Sequence, residues 1–140
     1  KNIPVYIDPK GNDFSKYKSA TCITPNLIEA EKIISSKIND KKSCISAAKY
    51  LKNDLNIDSC MITLGENGLV YVGGKEEFYI DAIKKEVYDV SGAGDTVISS
   101  FTAAMVSGID TYKALCFANY AASSVIIHHG THPINISEIN

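Results

Sequence analysis

The stretch DVSGAGDT, residues 89–96, joins a glycine-rich turn to the start of an apolar helix. Gly92, Ala93 and Gly94 let a ligand approach the backbone closely and place several N–H groups at a helix start. Such N–H groups and the positive end of the helix dipole favour an anion, above all a phosphoryl group in transfer. We therefore predict an anion site in these three residues.

The carboxylate of Asp95 follows this anion site directly. Because a negative charge works against phosphate binding, we expect this carboxylate to have another role. The simplest role is to accept a proton from an attacking hydroxyl. In the structural alternative, Asp95 caps the helix and the glycines only form a turn. The P-loop is excluded because no Gly-Lys-Ser/Thr occurs, and the dinucleotide fingerprint because Val97 stands where its third small residue belongs.

Residues 89–95 resemble the C-terminal signature of the ribokinase-like (PfkB) carbohydrate kinases. In that family the last Asp of the signature, here Asp95, is the catalytic base, and the Gly-Ala-Gly backbone forms the anion hole. Residues 7–11 (IDPKG), 24–27 (TPNL) and 117–119 (FAN) are most similar to one branch, the bacterial D-glycero-β-D-manno-heptose 7-phosphate kinases. The resemblance runs over nearly all of the chain and covers the C-terminal half of the family's kinase domain.

The resemblance implies that residues 1–140 are the nucleotide-binding half of a sugar kinase. That kinase would use ATP, magnesium and a monovalent cation such as potassium to phosphorylate O1 of the heptose 7-phosphate, a step towards ADP-heptose and the lipopolysaccharide core. A homodimeric parent, in some cases fused to an adenylyltransferase, is also implied. The family's other half carries most sugar contacts. Two alternatives stay open, a nucleotide-binding module without catalysis and a kinase of this family for another sugar.

The resemblance also assigns roles outside the signature. Glu29 would help to place magnesium, through a water molecule. The residues expected at the nucleotide are Asn26, Leu27, Ile28, Glu29, Thr63, Gly65 and Asn119. Several of these assignments also have a structural alternative. Asn26 and Glu29 have the spacing of a capping box. A tight turn would need Gly65 without any ligand, and helix packing alone explains the alanines around Asn119.

Three histidines, His128, His129 and His132, occur within five residues and suggest a metal site. We do not favour that site, because they lie beside glycine and proline without the spacing of ligands on a helix or strand. In the resembled family, the backbone of this loop and the first Asp of the signature hold a monovalent cation. The resemblance thus assigns Asp89 and Gly130 to a potassium-type site.

The composition fits a part of a compact enzyme. A chain of 140 residues that is 45% hydrophobic can form one core, and a net charge of −2 gives no reason to expect nucleic acid. The four cysteines are widely spaced in apolar contexts, which predicts reduced, buried and inert thiols in a cytoplasmic protein. No apolar run approaches the ~20 residues that span a bilayer, so no membrane partner is expected.

The hydrophobic pattern predicts alternating strands and helices, hence a three-layer α/β/α sandwich around a mainly parallel sheet. Strands are expected at 5–8, 21–24, 60–64, 69–72 and 78–80, and helices at 27–36, 43–55, 94–107 and 111–128. The strands between Tyr71 and Ile80 should be antiparallel at one edge. The first strand should be buried, which, with no initiating Met, suggests that the chain begins within a domain.

Asp8 and Lys10 follow the first predicted strand. Open α/β sheets bind ligands at the carboxyl ends of their strands, so both residues are site candidates. Asp-Pro and Lys-Gly are also ordinary turn chemistry. We therefore interpret Lys10 as a solvated lysine in a turn.

Overall fold

A computed structural model of the chain describes residues 3–134, so both ends of the predicted 1–140 domain lie outside the described residues. The elements are β1 (Tyr6–Ile7), β2 (Cys22–Ile23), α1 (Leu27–Ile34), α2 (Lys41–Asp54), β3 (Ser59–Thr63), β4 (Leu69–Gly73), β5 (Glu76–Ile80), α3 (Ala93–Val106) and α4 (Thr111–Val125). Two compact units are formed, the first ending at Tyr79 and the second beginning at Ile80. Among the described residues, no helix combines the length and apolar character needed to cross a membrane.

The five strands form one sheet in the order of the chain, β1-β2-β3-β4-β5. β1, β2 and β3 are parallel, whereas β4 runs antiparallel to β3, with Ser59 opposite Gly73 and Thr63 opposite Leu69. Only two residues join β4 to β5, and a parallel crossover needs a dozen or more. The predicted antiparallel edge is therefore confirmed.

The first unit places α1 and α2 against the sheet. α2 begins after Asp40, whose side chain accepts a hydrogen bond from the Ser43 N–H in a capping box. Both helices and the central strands supply a common core, whose most buried members include Ile23, Ala30, Ala48, Leu51, Cys60, Ile62 and Val70. The predicted buried strand is confirmed in β3, where only Thr63 is partly exposed.

β1 does not have the burial that its sequence predicts. Tyr6 and Ile7 are half-buried and the neighbouring Val5 is 48% exposed. Within the described sheet, β1 lies at the edge and pairs only with β2. The prediction of a buried first strand is wrong, because an apolar run does not show how many neighbouring strands will cover it.

The second unit is built on two packed helices, α3 and α4. α3 buries Val97, Phe101 and Ala104, and α4 buries a row of alanines at helical spacing. α4 ends three residues earlier than predicted. The carbonyl of Ile126 accepts hydrogen bonds from the Tyr88 and Asp89 N–H groups at 2.9 and 3.2 Å, which fastens the segment before α3 to the end of α4.

The cysteines are free thiols. Cys22, Cys44 and Cys60 are buried, and burial raises the pKa of Cys22 to about 12 and that of Cys60 well above its usual value. Cys116 is only half-buried, so the prediction of four buried thiols is wrong at that position. The predicted inertness therefore has a structural basis at the three buried sites.

Candidate active site

The glycine-rich stretch forms a turn that leads into α3. Gly92 has φ +80°, a left-handed conformation that favours glycine, and is the N-cap. Ala93 is the first helical residue, which makes Asp95 the third. Within residues 3–134, no side chain caps this helix and its N-cap is Gly92, so the interpretation of Asp95 as its cap is wrong.

The first turn of α3 presents backbone N–H groups to an incoming anion. The Ala93 N–H donates to the Val90 carbonyl at 3.2 Å, and the Thr96 N–H to the Gly92 carbonyl at 2.9 Å. Between them, the N–H groups of Gly94 and Asp95 have no acceptor within residues 3–134, as expected for a helix start. A Cβ added at Gly94 would meet no other atom of the described part of the chain within 4 Å, and Asp95 is exposed. The backbone here is open to a ligand.

In the first unit, the carboxyl ends of the parallel strands gather several predicted site residues. Asp8 follows β1 and Asn26 follows β2. A parallel bridge pairs Asn26 with Thr63, and the Thr63 N–H donates to the Pro25 carbonyl at 3.0 Å. Asp8, Asn26 and Thr63 therefore lie along one edge of the sheet, the edge formed by the carboxyl ends of its parallel strands, where ligands of open α/β sheets bind.

Glu29 has two partners at this edge. Its Oε2 accepts the Asn26 N–H at 2.8 Å while the Asn26 Oδ1 accepts the Glu29 N–H at 2.9 Å, so the predicted capping box is confirmed. Its Oε1 lies 3.3 Å from the Nζ of Lys10, which is 3.0 Å from Asp8 Oδ2. The hydrogen bond to Asp8 is the main cause that raises the pKa of Lys10. The site thus contains one ammonium between two carboxylates.

Lys10 is the residue whose place in the site was missed. The sequence predicted a solvated lysine, and the Lys10 side chain is indeed exposed. Its ammonium group, however, forms ion pairs with the carboxylates of Asp8 and Glu29. A signal was present: Asp8 follows the first predicted strand, Glu29 lies in the first turn of the helix after the second, and both positions are at the carboxyl ends of strands. Two nearby carboxylates favour a cation, and Lys10 is only two residues from Asp8.

The remaining nucleotide candidates of the first unit differ in accessibility. Leu27 packs against the core, whereas Ile28 is exposed. Gly65 is exposed, has φ +58° and begins a 3₁₀ turn, Gly65–Asn67, after β3. Ile28 and Gly65 are therefore open to a ligand, while the Leu27 side chain contributes to packing.

Asp89 joins the loop after α4 to the turn before α3. Its Oδ1 accepts the Ser91 N–H at 2.9 Å and its Oδ2 accepts the Gly130 N–H at 3.0 Å. The hydrogen bonds from Ser91, followed by that from Gly130, lower the pKa of Asp89. The structure therefore brings together the two residues assigned to a monovalent-cation site.

Other polar groups of the second unit have local partners. Asn119 donates from its side-chain amide to the Asp81 carbonyl at 3.0 Å, which gives it a structural role beside the predicted one. The rings of His128 and His132 stack at 3.8 Å, and His129 contacts Tyr88 edge-on. Among the described residues, no three His, Cys, Asp or Glu side chains gather as a metal site.

The amino-acid sequence is similar to that of bifunctional bacterial proteins. HldE of Campylobacter concisus is 43% identical over 137 residues, which are 98% of this chain and 29% of the relative. HldE of Blochmanniella floridana is 42% identical over 139 residues, 99% of this chain and 29% of the relative. The chain thus spans less than a third of the length of these relatives.

The fold is shared with solved sugar-kinase structures. Phosphofructokinase-2 from Escherichia coli in complex with potassium aligns with a TM-score of 0.86 at 17% identity, over 96% of this chain and 45% of that one. Ribokinase from Thermotoga maritima aligns with a TM-score of 0.74 at 21% identity, over 94% of this chain and 45% of that one. The predicted ribokinase-like α/β fold is confirmed. The sequence model of the pfkB family carbohydrate kinases matches residues 1–138, and the chain belongs to this family.

Proposed function

We propose that this chain is the nucleotide-binding part of an ATP-dependent sugar kinase that phosphorylates O1 of D-glycero-β-D-manno-heptose 7-phosphate. The observation that supports it most is the start of α3, where the N–H groups of Gly94 and Asp95, which have no acceptor among the described residues, accompany the exposed Asp95 carboxylate. α3, which carries both groups, packs against α4 within the second unit. A simple phosphate-binding turn would have no use for a carboxylate at that point.

Asp95 is proposed as the general base. It would accept the proton of the sugar hydroxyl as that oxygen attacks the γ-phosphorus of ATP and the bond to the leaving ADP oxygen breaks. The N–H groups of Gly94 and Asp95 would stabilise the negative charge on the transferring phosphoryl oxygens, together with the positive end of the α3 dipole. A smaller contribution is proposed for Ala93, because its N–H already donates to the Val90 carbonyl. Gly92 supplies the turn.

Glu29 is proposed to help place the magnesium ion that accompanies ATP. Magnesium prefers oxygen ligands, and the carboxylates of Glu29 and Asp8 already share one cationic group, so this edge suits a cation. Bound magnesium would neutralise phosphate charge during transfer. Asn26, Ile28, Thr63 and Gly65 are proposed to line the nucleotide at the same edge of the first unit.

A monovalent cation is proposed at Asp89 and the Gly130 loop. The Asp89 carboxylate holds that loop to the turn before α3, so a cation there would influence the shape of the anion hole. A potassium complex of the structurally similar phosphofructokinase-2 supports the idea. We also propose Asn119 as an adenine contact.

The HldE relatives, at about 40% identity, support the heptose assignment that the sequence resemblance implies. A full-length protein carrying this chain should convert heptose 7-phosphate well above fructose 6-phosphate and ribose when ADP release is measured with each acceptor. Preference for another sugar would overturn the heptose assignment and leave the kinase assignment intact. ATP binding without turnover of any sugar would favour a non-catalytic module.

A homodimeric, cytoplasmic parent with a fused adenylyltransferase is part of the same proposal.

Replacement of Gly94 by alanine should separate stability from activity. Alanine is the better helix former by roughly 0.5–1 kcal/mol in a helix interior, and at Gly94 its Cβ would meet no other described atom, so the melting temperature should rise slightly. The same Cβ fills space open to the phosphoryl group, so kcat should fall by about tenfold or more. Ser99→Ala on the same helix is the control and should leave kcat unchanged. Unchanged turnover in Gly94→Ala would remove Gly94 from the anion hole.

A further inference from the structure

Lys10 reaches two carboxylates from the solvent side. Its Nζ lies 3.0 Å from Asp8 Oδ2 and 3.3 Å from Glu29 Oε1, while its side chain is 67% exposed. The acids are much less exposed, at 28% for Asp8 and 17% for Glu29. The carboxylates are therefore less exposed than the ammonium, which sits on a flexible stem that can leave without disturbing the fold.

One ammonium balances this pair of carboxylates only in part. Two negative charges that share one positive charge still repel each other, and a divalent cation would neutralise both. Glu29 can exchange its cationic partner at Oε1 alone, because Oε2 stays bound to the Asn26 N–H and preserves the helix cap. The geometry thus permits one cation to replace another with no change in α1.

We propose that Lys10 is a positioning residue that holds Asp8 and Glu29 together when no metal is bound and withdraws when a divalent cation takes its place. The inference rests on the proposed function, since the cation in question is the magnesium that accompanies ATP. Lys10 therefore sets how tightly this edge binds the metal. Released from both acids, its ammonium becomes available to the negatively charged phosphates of the nucleotide.

The amine reactivity of Lys10 tests the exchange in the unaltered protein. While its Nζ lies between Asp8 and Glu29, the Lys10 amine is engaged by both carboxylates and is less open to a reagent. Saturating magnesium should release Lys10 and raise its rate of reductive methylation about threefold, followed by mass spectrometry. Lys37 is the internal control, because its Nζ lies 2.7 Å from the carboxylate of Glu31, a residue of α1. Its methylation rate should not change when magnesium is added.

Two variants test the competition from the metal side. Manganese is the probe, and its affinity for the nucleotide-free full-length protein is measured by electron paramagnetic resonance. Lys10→Met should strengthen manganese binding by about three- to tenfold, because the competing charge is lost. Lys37→Met removes the same charge and an equivalent ion pair, and should alter the affinity less than twofold.

Each outcome separates this inference from the proposed kinase activity. Lys10 methylation that does not respond to magnesium, no metal binding to the free protein, or equal effects of the two methionine variants would overturn the role of Lys10. Turnover of a sugar in the same preparation would then leave the proposed function intact. A magnesium response of Lys10 without phosphoryl transfer to any sugar would support the inference and refute the kinase.

Discussion

Asp95→Asn is expected to lower kcat by about 10²–10⁴ in a full-length protein that carries this chain. Asparagine has nearly the same size but cannot accept a proton at neutral pH, so the sugar hydroxyl would lose its base. Asp95 is exposed and is not the cap of α3, so the melting temperature should change by only a few degrees. Steady-state kinetics and thermal unfolding of the same preparations provide both values.

A matched control lies at the start of the neighbouring helix. Asp110 caps α4 through the Lys113 N–H at 3.3 Å, and Asp110→Asn removes the same charge in the same unit while asparagine still caps. We expect kcat in this variant to stay within twofold of the wild type. A similar loss of turnover in both variants would mean that charge, and not proton transfer, is what Asp95 contributes.

Glu29→Gln should raise the magnesium concentration needed for half-maximal activity by about 10–100-fold, as is common when an outer-sphere metal contact is lost. Glutamine can keep the capping box with Asn26, so α1 should remain folded and the melting temperature nearly unchanged. The measurement is the initial rate as a function of magnesium at fixed ATP.

The control for Glu29 is Glu31→Gln on the same helix. Glu31 accepts hydrogen bonds from Lys37 at 2.7 Å and from the Ile38 N–H at 3.0 Å, so its loss affects local structure without touching Asp8 or Lys10. Its magnesium dependence should match that of the wild type. If Glu29→Gln also shows an unchanged magnesium dependence, Glu29 serves α1 alone, as the capping alternative states.

Features that depend on neighbours in sequence were predicted well. The predicted capping box of Asn26 and Glu29 involves residues three apart, so a short pattern contains all the information. The start of α3 shows the limit of such patterns. Both glycine and aspartate are accepted near a helix start, and the cap is identified as Gly92 only because the structure begins α3 at Ala93.

Contacts between distant residues could not be read from local patterns. Lys10 meets Glu29 across 19 positions, and Asp89 meets Gly130 across 41. The Asp89 pairing was predicted only because the chain resembles a family in which both residues serve one cation. The burial of β1 failed for a related reason, since its apolar residues do not reveal which strands will lie beside it.

The central claim is that Asp95 transfers a proton during phosphorylation of a sugar. Phosphorus-31 nuclear magnetic resonance of the full-length protein with magnesium, ATP and D-glycero-β-D-manno-heptose 7-phosphate observes that phosphorylation directly. We predict that the wild type and Asp110→Asn form ADP and a heptose carrying a second phosphate at O1, while Asp95→Asn forms neither on the same time scale. Equal formation of the bisphosphate by Asp95→Asn, or ADP without a phosphorylated sugar in the wild type, would contradict the account.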